Sequence, residues 1–252
     1  MKVDRLYDQD NQYIVYRQIR GTRASIVFLG GFGSDMNGTK ATAIYKFCQA
    51  HDLSLVLFDY FGHGTSSGHF TDYTISDWKQ NCIEIISQLT IGKQIIIGSS
   101  MGGWLMCLIA MQLPQTILAL IGISCAIDFT QNLIFEKLSD QQKIALSLYG
   151  MIHFSAHDNE NCTYQITKEL IEDGRNNLLL TKNLIEIYCP VRLLHSLNDK
   201  DVPYHTSLNL AHKIASNDVE IHLIKSASHN MSDNTSIEKL FKIIKELLSS
   251  VI

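Results

Sequence analysis

The stretch QIIIGSSMGGWLMCLIAMQL, residues 94–113, decides the fold of this 252-residue chain. It opens with a short apolar run of the kind that forms a strand buried on both faces of a parallel sheet. It continues as a predominantly apolar helical pattern that stops before Pro114. Between the two, Gly98, Ser100 and Gly102 fit the pattern G-x-S-x-G. A strand, a sharp turn that carries a serine, and a helix form a nucleophile elbow, which exposes the serine hydroxyl.

The same alternation of strand and helix extends over most of the chain. Apolar runs predict strands at residues 24–29, 53–58, 94–97, 117–123, 191–195 and 219–224, with an antiparallel edge strand at 14–19. Helical patterns cover residues 39–50, 75–89 and 100–113, and a last helix from about residue 237. Thr74 with Asp77, and Thr235 with Glu238, have the spacing of capping boxes. We therefore predict a single α/β domain over residues 1–252, with a mostly parallel sheet and helices on both faces.

Residues 128–188 break the alternation. They read as mostly helical, with no strand of their own, and they are longer than a plain crossover needs. We interpret them as an inserted helical cap over the end of the sheet, with an ordinary pair of packing helices as the alternative. The segment has more apolar residues than one surface helix should show, so we expect some of them to face a pocket: Leu133, Ile134, Phe135, Leu138, Ile144, Leu146, Leu148, Ile152 and Phe154.

Composition narrows the class of protein. The net charge of −4 and the lack of a basic stripe argue against a nucleic-acid partner. The longest apolar stretch, residues 117–127, is shorter than the ~20 residues of a membrane helix. The first twenty residues have no apolar core and carry three aspartates, which argues against a targeting peptide and favours the cytoplasm. The six cysteines form no CxxC pair, so we expect reduced thiols. No His, Cys and Asp cluster has the spacing of metal ligands, and a Ser-His-Asp site supplies its own nucleophile, so we expect neither a metal nor an organic cofactor. The oligomeric state stays open.

The elbow names the nucleophile, and its partners should follow in the chain. The glycines frame Ser100, whereas Ser99 occupies a variable position of the motif. A serine hydroxyl needs a base, and in elbow-bearing sheets the acid and then the histidine come after the serine. Asp199 follows the strand at 191–195 and fits D-x-x-V-P, with Asp201 as the competing acid. His229 follows the strand at 219–224 and precedes the last helix. We predict Ser100, Asp199 and His229 as the catalytic residues.

The oxyanion of an acyl-transfer reaction needs two backbone donors. One should be the N–H of Met101, the residue after the nucleophile. The other should come from the glycine-rich turn at residues 30–34, where Phe32 is placed to donate. The rival interpretation of this turn is a phosphate cradle. The turn lacks the lysine and hydroxyl residue of a P-loop and does not form G-x-G-x-x-G.

These motifs resemble the α/β-hydrolase superfamily over nearly the full length of the chain. FDYFGHGTSSG, residues 58–68, is similar to the loop after the second central strand in that superfamily. GGFGSDMNGTKA (30–41), GSSMGGWLM (98–106) and CPVRLLHSLNDKDVPYHTS (189–207) resemble one subgroup, that of the palmitoyl-protein thioesterase and acyl-glucuronide esterase called abhydrolase domain-containing protein ten, with its bacterial relatives. The resemblance implies a serine hydrolase for acyl thioesters or esters, with a small-molecule or lipidated acyl substrate and a Ser100, Asp199, His229 triad.

Two alternatives keep the same residues but change the function. The triad could act on another bond, as in a lipase, an amidase or a carbon–carbon hydrolase, and the sequence does not separate these. The chain could also be a non-catalytic binding protein on a hydrolase scaffold. Labelling with a fluorophosphonate probe separates the last alternative from the enzymes.

Overall fold

A computed structural model describes residues 2–155 and 163–251 of the chain. The strands are β1 (Asp4–Tyr7), β2 (Tyr13–Ile19), β3 (Ser25–Leu29), β4 (Ser54–Phe58), β5 (Gln94–Ser99), β6 (Ile117–Ile123), β7 (Met151–Ser155), β8 (Thr163–Thr167), β9 (Val191–Ser196) and β10 (Val219–Ile224). The α-helices are α1 (Thr39–Ala50), α2 (Ile75–Leu89), α3 (Met101–Gln112), α4 (Asp140–Tyr149), α5 (Lys168–Asn176), α6 (His205–Lys213) and α7 (Asn234–Val251). None of the described helices has both the length and the apolar character needed to cross a membrane.

Eight strands form one sheet in the order β1-β2-β4-β3-β5-β6-β9-β10. Strands β3, β4, β5, β6, β9 and β10 run parallel to their neighbours within this group. Strand β2 is antiparallel to β4, and β1 is antiparallel to β2. The predicted fold class, a mostly parallel sheet flanked by helices, is confirmed.

The prediction of an edge strand at residues 14–19 is half right. That segment is antiparallel, but β1 pairs with it from Asp4 opposite Tyr16 to Tyr7 opposite Tyr13, so β1 is the edge. The two strands are joined by a tight polar turn in which Asp8 Oδ1 accepts the N–H groups of Asp10 and Gln12 at 2.9 and 2.8 Å, and Asn11 has φ 61°. Strand β1 has only four residues, which alternate between half-buried and exposed and contain no apolar run. A pattern this short does not identify a strand from hydrophobicity alone.

The sheet separates two hydrophobic cores. Val27 packs on one face together with Trp78 of α2 and Trp104 of α3, all of them almost fully buried. Its neighbour Ile26 points to the other face and packs with Ile44 of α1 and the apolar side of α7. Successive residues of a strand point to opposite faces, so strands that are buried on both sides must be apolar throughout. This is why the short apolar runs located the central strands.

The predicted cap of α2 is confirmed, and that of α7 is wrong. The N–H and the hydroxyl of Thr74 both donate to Asp77 Oδ2, at 2.8 and 2.7 Å. Helix α7 begins at Asn234, before the predicted start, so Thr235 lies inside it. Asp233 caps the helix instead, accepting the Ser236 N–H at 3.0 Å and its hydroxyl at 2.6 Å. Every residue from 232 to 236 (SDNTS) is of a type favoured at the cap position, so the path of the preceding loop selects among them.

Residues 128–188, which we call the insert, are not purely helical. They contain a π-helical turn (Thr130–Ile134), a 3₁₀ turn (Phe135–Lys137) and helices α4 and α5. They also contain β7 and β8, which pair antiparallel in a separate two-stranded sheet, contrary to the prediction of no strand. The alternating exposure along Met151–Ser155 is typical of a two-residue period. The limits of the insert as a separate unit stay a prediction.

A buried carboxylate closes the root of the insert. Asp128, just after β6, has φ 57° and accepts the N–H groups of Leu179 and Leu180 at 2.9 and 2.8 Å. Burial raises the pKa of Asp128, and these two hydrogen bonds act in the opposite direction. Farther along, Asp173 of α5 accepts the N–H and hydroxyl of Ser76 in α2, at 2.9 and 2.6 Å. The Asp128 contacts thus join the two ends of the insert, and the Asp173 contacts tie the insert to α2.

The cysteines within the described residues carry free thiols. Cys48, Cys82, Cys107 and Cys125 are buried, and Cys189 is partly buried. Burial raises the pKa of the Cys48 thiol to about 12, which suppresses its reactive thiolate form. Cys162 lies outside the described residues.

We predict that Asp128→Ala destabilises the protein by about 3 kcal/mol, because the buried N–H of Leu179 and the partly buried N–H of Leu180 lose their acceptor. Urea unfolding measures this change. Asp10→Ala is the matched control, since Asp10 is exposed and its substitution should change the free energy of unfolding by less than about 0.5 kcal/mol. Equal stability of the two variants would mean that Asp128 does not hold the root of the insert.

Candidate active site

Ser100 occupies a strained turn between β5 and α3. Its backbone angles are φ 54° and ψ −118°, a region that residues with a side chain rarely adopt. Three hydrogen bonds hold the turn: the Ser100 N–H donates to Ile123 O at 2.9 Å, and its carbonyl accepts the N–H groups of Gly103 and Ala126 at 2.9 and 3.0 Å. The hydroxyl of Ser100 faces a cavity on the protein surface.

The motif glycines are required by space. A β-carbon on Gly98 would collide with the backbone of Gly102, and one on Gly102 would collide with the carbonyls of Leu29 and Gly30. Helix α3 therefore begins in direct contact with the backbone at the end of β3. This contact brings the turn after β3 next to Ser100.

His229 and Asp199 lie beside Ser100 on the loops after β10 and β9. His229 Nε2 is 3.2 Å from Ser100 Oγ, and His229 Nδ1 is 2.8 Å from Asp199 Oδ2. The two loops are fastened to each other, since Ser196 Oγ donates to Ala227 O and Asn198 Nδ2 donates to Lys225 O, both at 2.6 Å. The three side chains predicted from the sequence are therefore brought together by the fold.

The carboxylate of Asp199 is fully buried and accepts hydrogen bonds on both oxygens. Oδ1 accepts the N–H groups of Asp201 and Val202 at 3.0 and 2.9 Å, while His229 and His195 approach Oδ2. Burial alone would raise the pKa of Asp199, but the hydrogen bonds from His195 and His229 and the charge of His229 hold it well below its usual value. Asp199 therefore stays ionised while it orients His229.

Asp201 has a different position. It contributes its N–H to Asp199 Oδ1, and its side chain lines the cavity. Within the described parts of the chain, Asp199, Asp201 and His229 also form a group whose potential metal-ligand atoms lie within 4.8 Å of one another. Both oxygens of Asp199 already accept hydrogen bonds, and His229 Nε2 faces Ser100, so a metal ion would have to displace these contacts.

His195 is a residue that the sequence analysis left without a role. It is completely buried, with Nδ1 2.7 Å from Ser207 Oγ and Nε2 3.0 Å from Val202 O and 3.2 Å from Asp199 Oδ2. Nε2 must carry the proton that it shares between two acceptors, and Ser207 then donates to Nδ1. The sequence feature that could have indicated this role is the position of His195 near the end of a buried strand, four residues before Asp199.

The two proposed oxyanion donors flank Ser100. Met101 is the first residue of α3. The turn with Phe32 lies against Ser100, since a β-carbon on Gly31 would be 3.4 Å from Ser100 Cβ. The Phe32 ring packs against Phe129 and Tyr164 of the insert, with ring centroids 5.2 and 5.1 Å away. The insert thus contacts the turn directly.

The cavity beside Ser100 has a volume of about 610 Å³. Residues of the insert form its apolar wall: Phe129, Leu133, Ile134, Phe154 and Tyr164. Other apolar residues of the insert are used differently, since Leu146 and Ile152 are buried in the core, whereas Ile144 and Leu148 are 58% and 71% exposed. The expectation that some of the insert's apolar residues face a pocket is confirmed.

The charged residues at the cavity include Lys40 and Lys137, opposite in sign to Asp35 and Asp201. Burial lowers the pKa of Lys40 to about 8. Its ammonium group donates to the carbonyl of Asn230, directly after His229. Lys40 therefore ties the start of α1 to the loop that carries the imidazole.

Comparisons with known proteins place the chain among the hydrolases. A family model described as serine aminopeptidase, S33, matches residues 20–235. The bovine (Bos taurus) protein named palmitoyl-protein thioesterase ABHD10, mitochondrial, is 37% identical over 199 residues, which are 78% of this chain and 64% of that protein. This chain thus spans less than two thirds of the length of that relative.

Two solved structures are similar over nearly the whole chain. The α/β-hydrolase domain-containing protein 10 from mouse is 31% identical, with a TM-score of 0.93 and 100% of both chains covered. A putative hydrolase from Agrobacterium vitis S4 is 29% identical, with a TM-score of 0.92 and 98% of both chains covered. The similarity therefore includes the insert as well as the central sheet.

We predict that Asp199→Asn lowers kcat by about 10⁴-fold, because the amide no longer holds the imidazole in the working tautomer. Steady-state hydrolysis of an aryl ester measures the change. Asp201→Asn is the matched control and should lower kcat less than about threefold, since only its backbone contacts Asp199. If Asp201→Asn were the damaging change, the acid would have to be reassigned by two positions.

Proposed function

Because the chain belongs to the α/β-hydrolases of the serine aminopeptidase S33 family, we propose that it is a serine hydrolase that cleaves carboxylic esters or acyl thioesters. The observation that carries the proposal is the continuous hydrogen-bonded series from Ser100 Oγ through His229 to buried Asp199, with distances of 3.2 and 2.8 Å. A nucleophile, a base and an orienting carboxylate in this order are what acyl transfer requires. The names of the bovine and mouse relatives support the same class of reaction.

In the first half of the proposed reaction, Ser100 Oγ attacks the carbonyl carbon of the substrate as His229 Nε2 takes the hydroxyl proton. Asp199 keeps the proton of His229 on Nδ1, so that Nε2 is the acceptor, and stabilises the imidazolium that forms. The N–H groups of Phe32 and Met101 stabilise the negative oxygen of the tetrahedral intermediate. As that intermediate collapses, His229 gives the proton to the departing alcohol or thiol, leaving the acyl group on Ser100.

In the second half, water replaces the leaving group. His229 removes a proton from the water as its oxygen attacks the acyl-enzyme, and the same two N–H groups receive the new oxyanion. Collapse of this second intermediate returns the proton to Ser100 Oγ and releases the carboxylic acid. The enzyme ends in its starting state, and no external oxidant or reductant is needed.

The cavity favours an acyl chain as the group that the enzyme recognises. Its wall next to Ser100 is formed by aromatic and aliphatic side chains of the insert, and burial of a chain there contributes about 0.8 kcal/mol per CH₂. A lipidated protein or a small acyl ester fits this arrangement. The name of the bovine relative, a palmitoyl-protein thioesterase, supports the same class of substrate.

The cellular compartment of the enzyme is a separate proposal. We propose the cytoplasm. The bovine relative is named as mitochondrial, and a fluorescent fusion in the native host would distinguish the two compartments.

We predict that a fluorophosphonate probe labels the protein at Ser100 and that Ser100→Ala abolishes both labelling and ester hydrolysis. Loss of the nucleophile or the base costs about 10⁶ in kcat for enzymes of this kind. Ser99→Ala is the matched control and should retain labelling. Probe incorporation measured by mass spectrometry gives the modified residue, and unlabelled wild-type protein would favour the binding-protein alternative.

We predict that kcat/KM rises about fourfold for each CH₂ added to the acyl chain until the cavity is filled. A panel of p-nitrophenyl esters, acyl thioesters and anilides of increasing chain length measures the profile and compares ester, thioester and amide bonds. Leu133→Trp should move the plateau to shorter chains, because Leu133 lines the cavity. Leu148→Trp is the control on the exposed side of the insert. A flat or falling profile from acetyl to octanoyl would contradict recognition of a long acyl chain.

A further inference from the structure

His63 is a buried histidine outside the proposed proton path. It lies in the loop after β4, residues 59–68, and only 3% of it is exposed. Its Nε2 is 3.1 Å from the N–H of Gly33, and its Nδ1 is 3.2 Å from Phe61 O. Gly33 directly follows Phe32, the proposed oxyanion donor. The loop after β4 therefore contacts the turn that would stabilise the transition state.

The partners of His63 determine its tautomer. A backbone carbonyl can only accept and a backbone N–H can only donate. Nδ1 must therefore carry the proton that bonds to Phe61 O, and Nε2 must be the acceptor for Gly33. Burial lowers the pKa of His63 to about 4, so the ring is neutral near pH 7 and retains its accepting nitrogen.

The turn is held from two sides. Gly31 O accepts the N–H and the hydroxyl of Ser34 at 3.1 and 2.7 Å, and Gly33, with φ 68°, is held by His63. A trans peptide is planar, with N–H and C=O on opposite sides. Fixing the carbonyl of Gly31 and the N–H of Gly33 therefore fixes the peptide planes on both sides of Phe32.

The imidazole has little freedom to rotate. Its ring lies edge-to-face against Tyr60, Phe70 and Trp78, with centroids 5.3, 5.1 and 5.1 Å away. The same loop also supports the segment after β3 elsewhere, since Tyr60 Oη donates to Gly30 O at 3.2 Å and Asp59 Oδ1 accepts the Met36 N–H at 2.7 Å. His63 thus belongs to a rigid support beneath the turn.

We propose that His63 is a positioning residue, which accepts the Gly33 N–H and so holds the Phe32 N–H where the oxyanion develops. The proposal rests on the proposed function, since it requires acyl transfer at Ser100. It differs from an ordinary packing role for a buried histidine, because it assigns the effect of His63 to the transition state and not to stability alone.

Two substitutions separate hydrogen bonding from packing. In His63→Gln, the side-chain amide oxygen can take the place of Nε2 as acceptor. In His63→Leu, the site stays filled but the acceptor is lost. His51→Leu is the matched control, because His51 also bonds to a backbone carbonyl, Phe47 O at 2.9 Å, and packs against an aromatic ring, but on the far core.

The readout compares an ester with its thiono analogue, in which sulfur replaces the carbonyl oxygen. The preference for the ester reports the fit of the oxyanion donors, and the ratio of the two kcat/KM values does not depend on how much of the enzyme is folded.

Removal of one such donor costs about 10²–10³ in kcat. We expect His63→Leu to lower kcat per fluorophosphonate-titrated site by at least about 10-fold, with KM within about threefold, and to lower the ester preference. His63→Gln should recover most of both, and His51→Leu should match the wild type.

The outcomes are distinct. Wild-type protein with no hydrolytic activity would overturn the proposed function and this inference with it. Active wild type together with a His63→Leu variant of unchanged kcat, or of unchanged ester preference, would overturn the inference alone. If His63→Leu does not fold, His63→Gln and the imidazole ¹⁵N shifts of the wild type decide. A protonated Nε2 on His63 would contradict the proposal, and a protonated Nδ1 with retained activity in His63→Gln would support it.

Discussion

The left-handed backbone of Ser100 is the constraint on which the rest of the site depends. A residue with a side chain in that region costs on the order of 1–3 kcal/mol, and the cost is offset by bonds to Ile123, Gly103 and Ala126. Strand β5 ends between β3 and β6. The end of β6 and the loop after it supply Ile123 and Ala126, and the first turn of α3 supplies Gly103. Once the turn at Ser100 is formed, α3 starts against the end of β3, and the hydroxyl is directed to the edge of the sheet where the loops after β9 and β10 arrive.

The loops after β9 and β10 stabilise a buried negative charge. A carboxylate as buried as Asp199 would ordinarily become protonated, since burial disfavours its charged form. Two backbone N–H groups and two imidazoles surround it and reverse that tendency. His195 contributes from the interior while His229 faces the cavity. The charge beside His229 is thus stabilised mostly by groups that take no part in the proposed proton transfer, and it stays shielded from the contents of the cavity.

The features that could be predicted from the sequence are those that short-range residue patterns determine. Strands buried on both faces were located closely, and Ser100, Asp199 and His229 were selected because each follows such a strand. What it missed depends on contacts between distant segments. β1 is recognisable as a strand only through its pairing with β2, and β8 only through its pairing with β7. The choice of Asp233 over Thr235 as the cap of α7 depends on how the preceding loop arrives. His195 and His63 gained their roles only when their partners, Asp199 and Gly33, were seen beside them.

The contact of Tyr164 with the turn after β3 has a consequence for how this scaffold diversifies. Tyr164 of β8 packs on the Phe32 ring, and a β-carbon on Gly33 would run into it. The segment that shapes the cavity therefore also contacts the backbone beside Ser100. Exchanging this insert for one from another hydrolase would remove a supporting surface along with the old cavity wall. A new substrate range can be gained on this scaffold only together with a matching side chain at that point, so the insert and the turn must evolve as one unit.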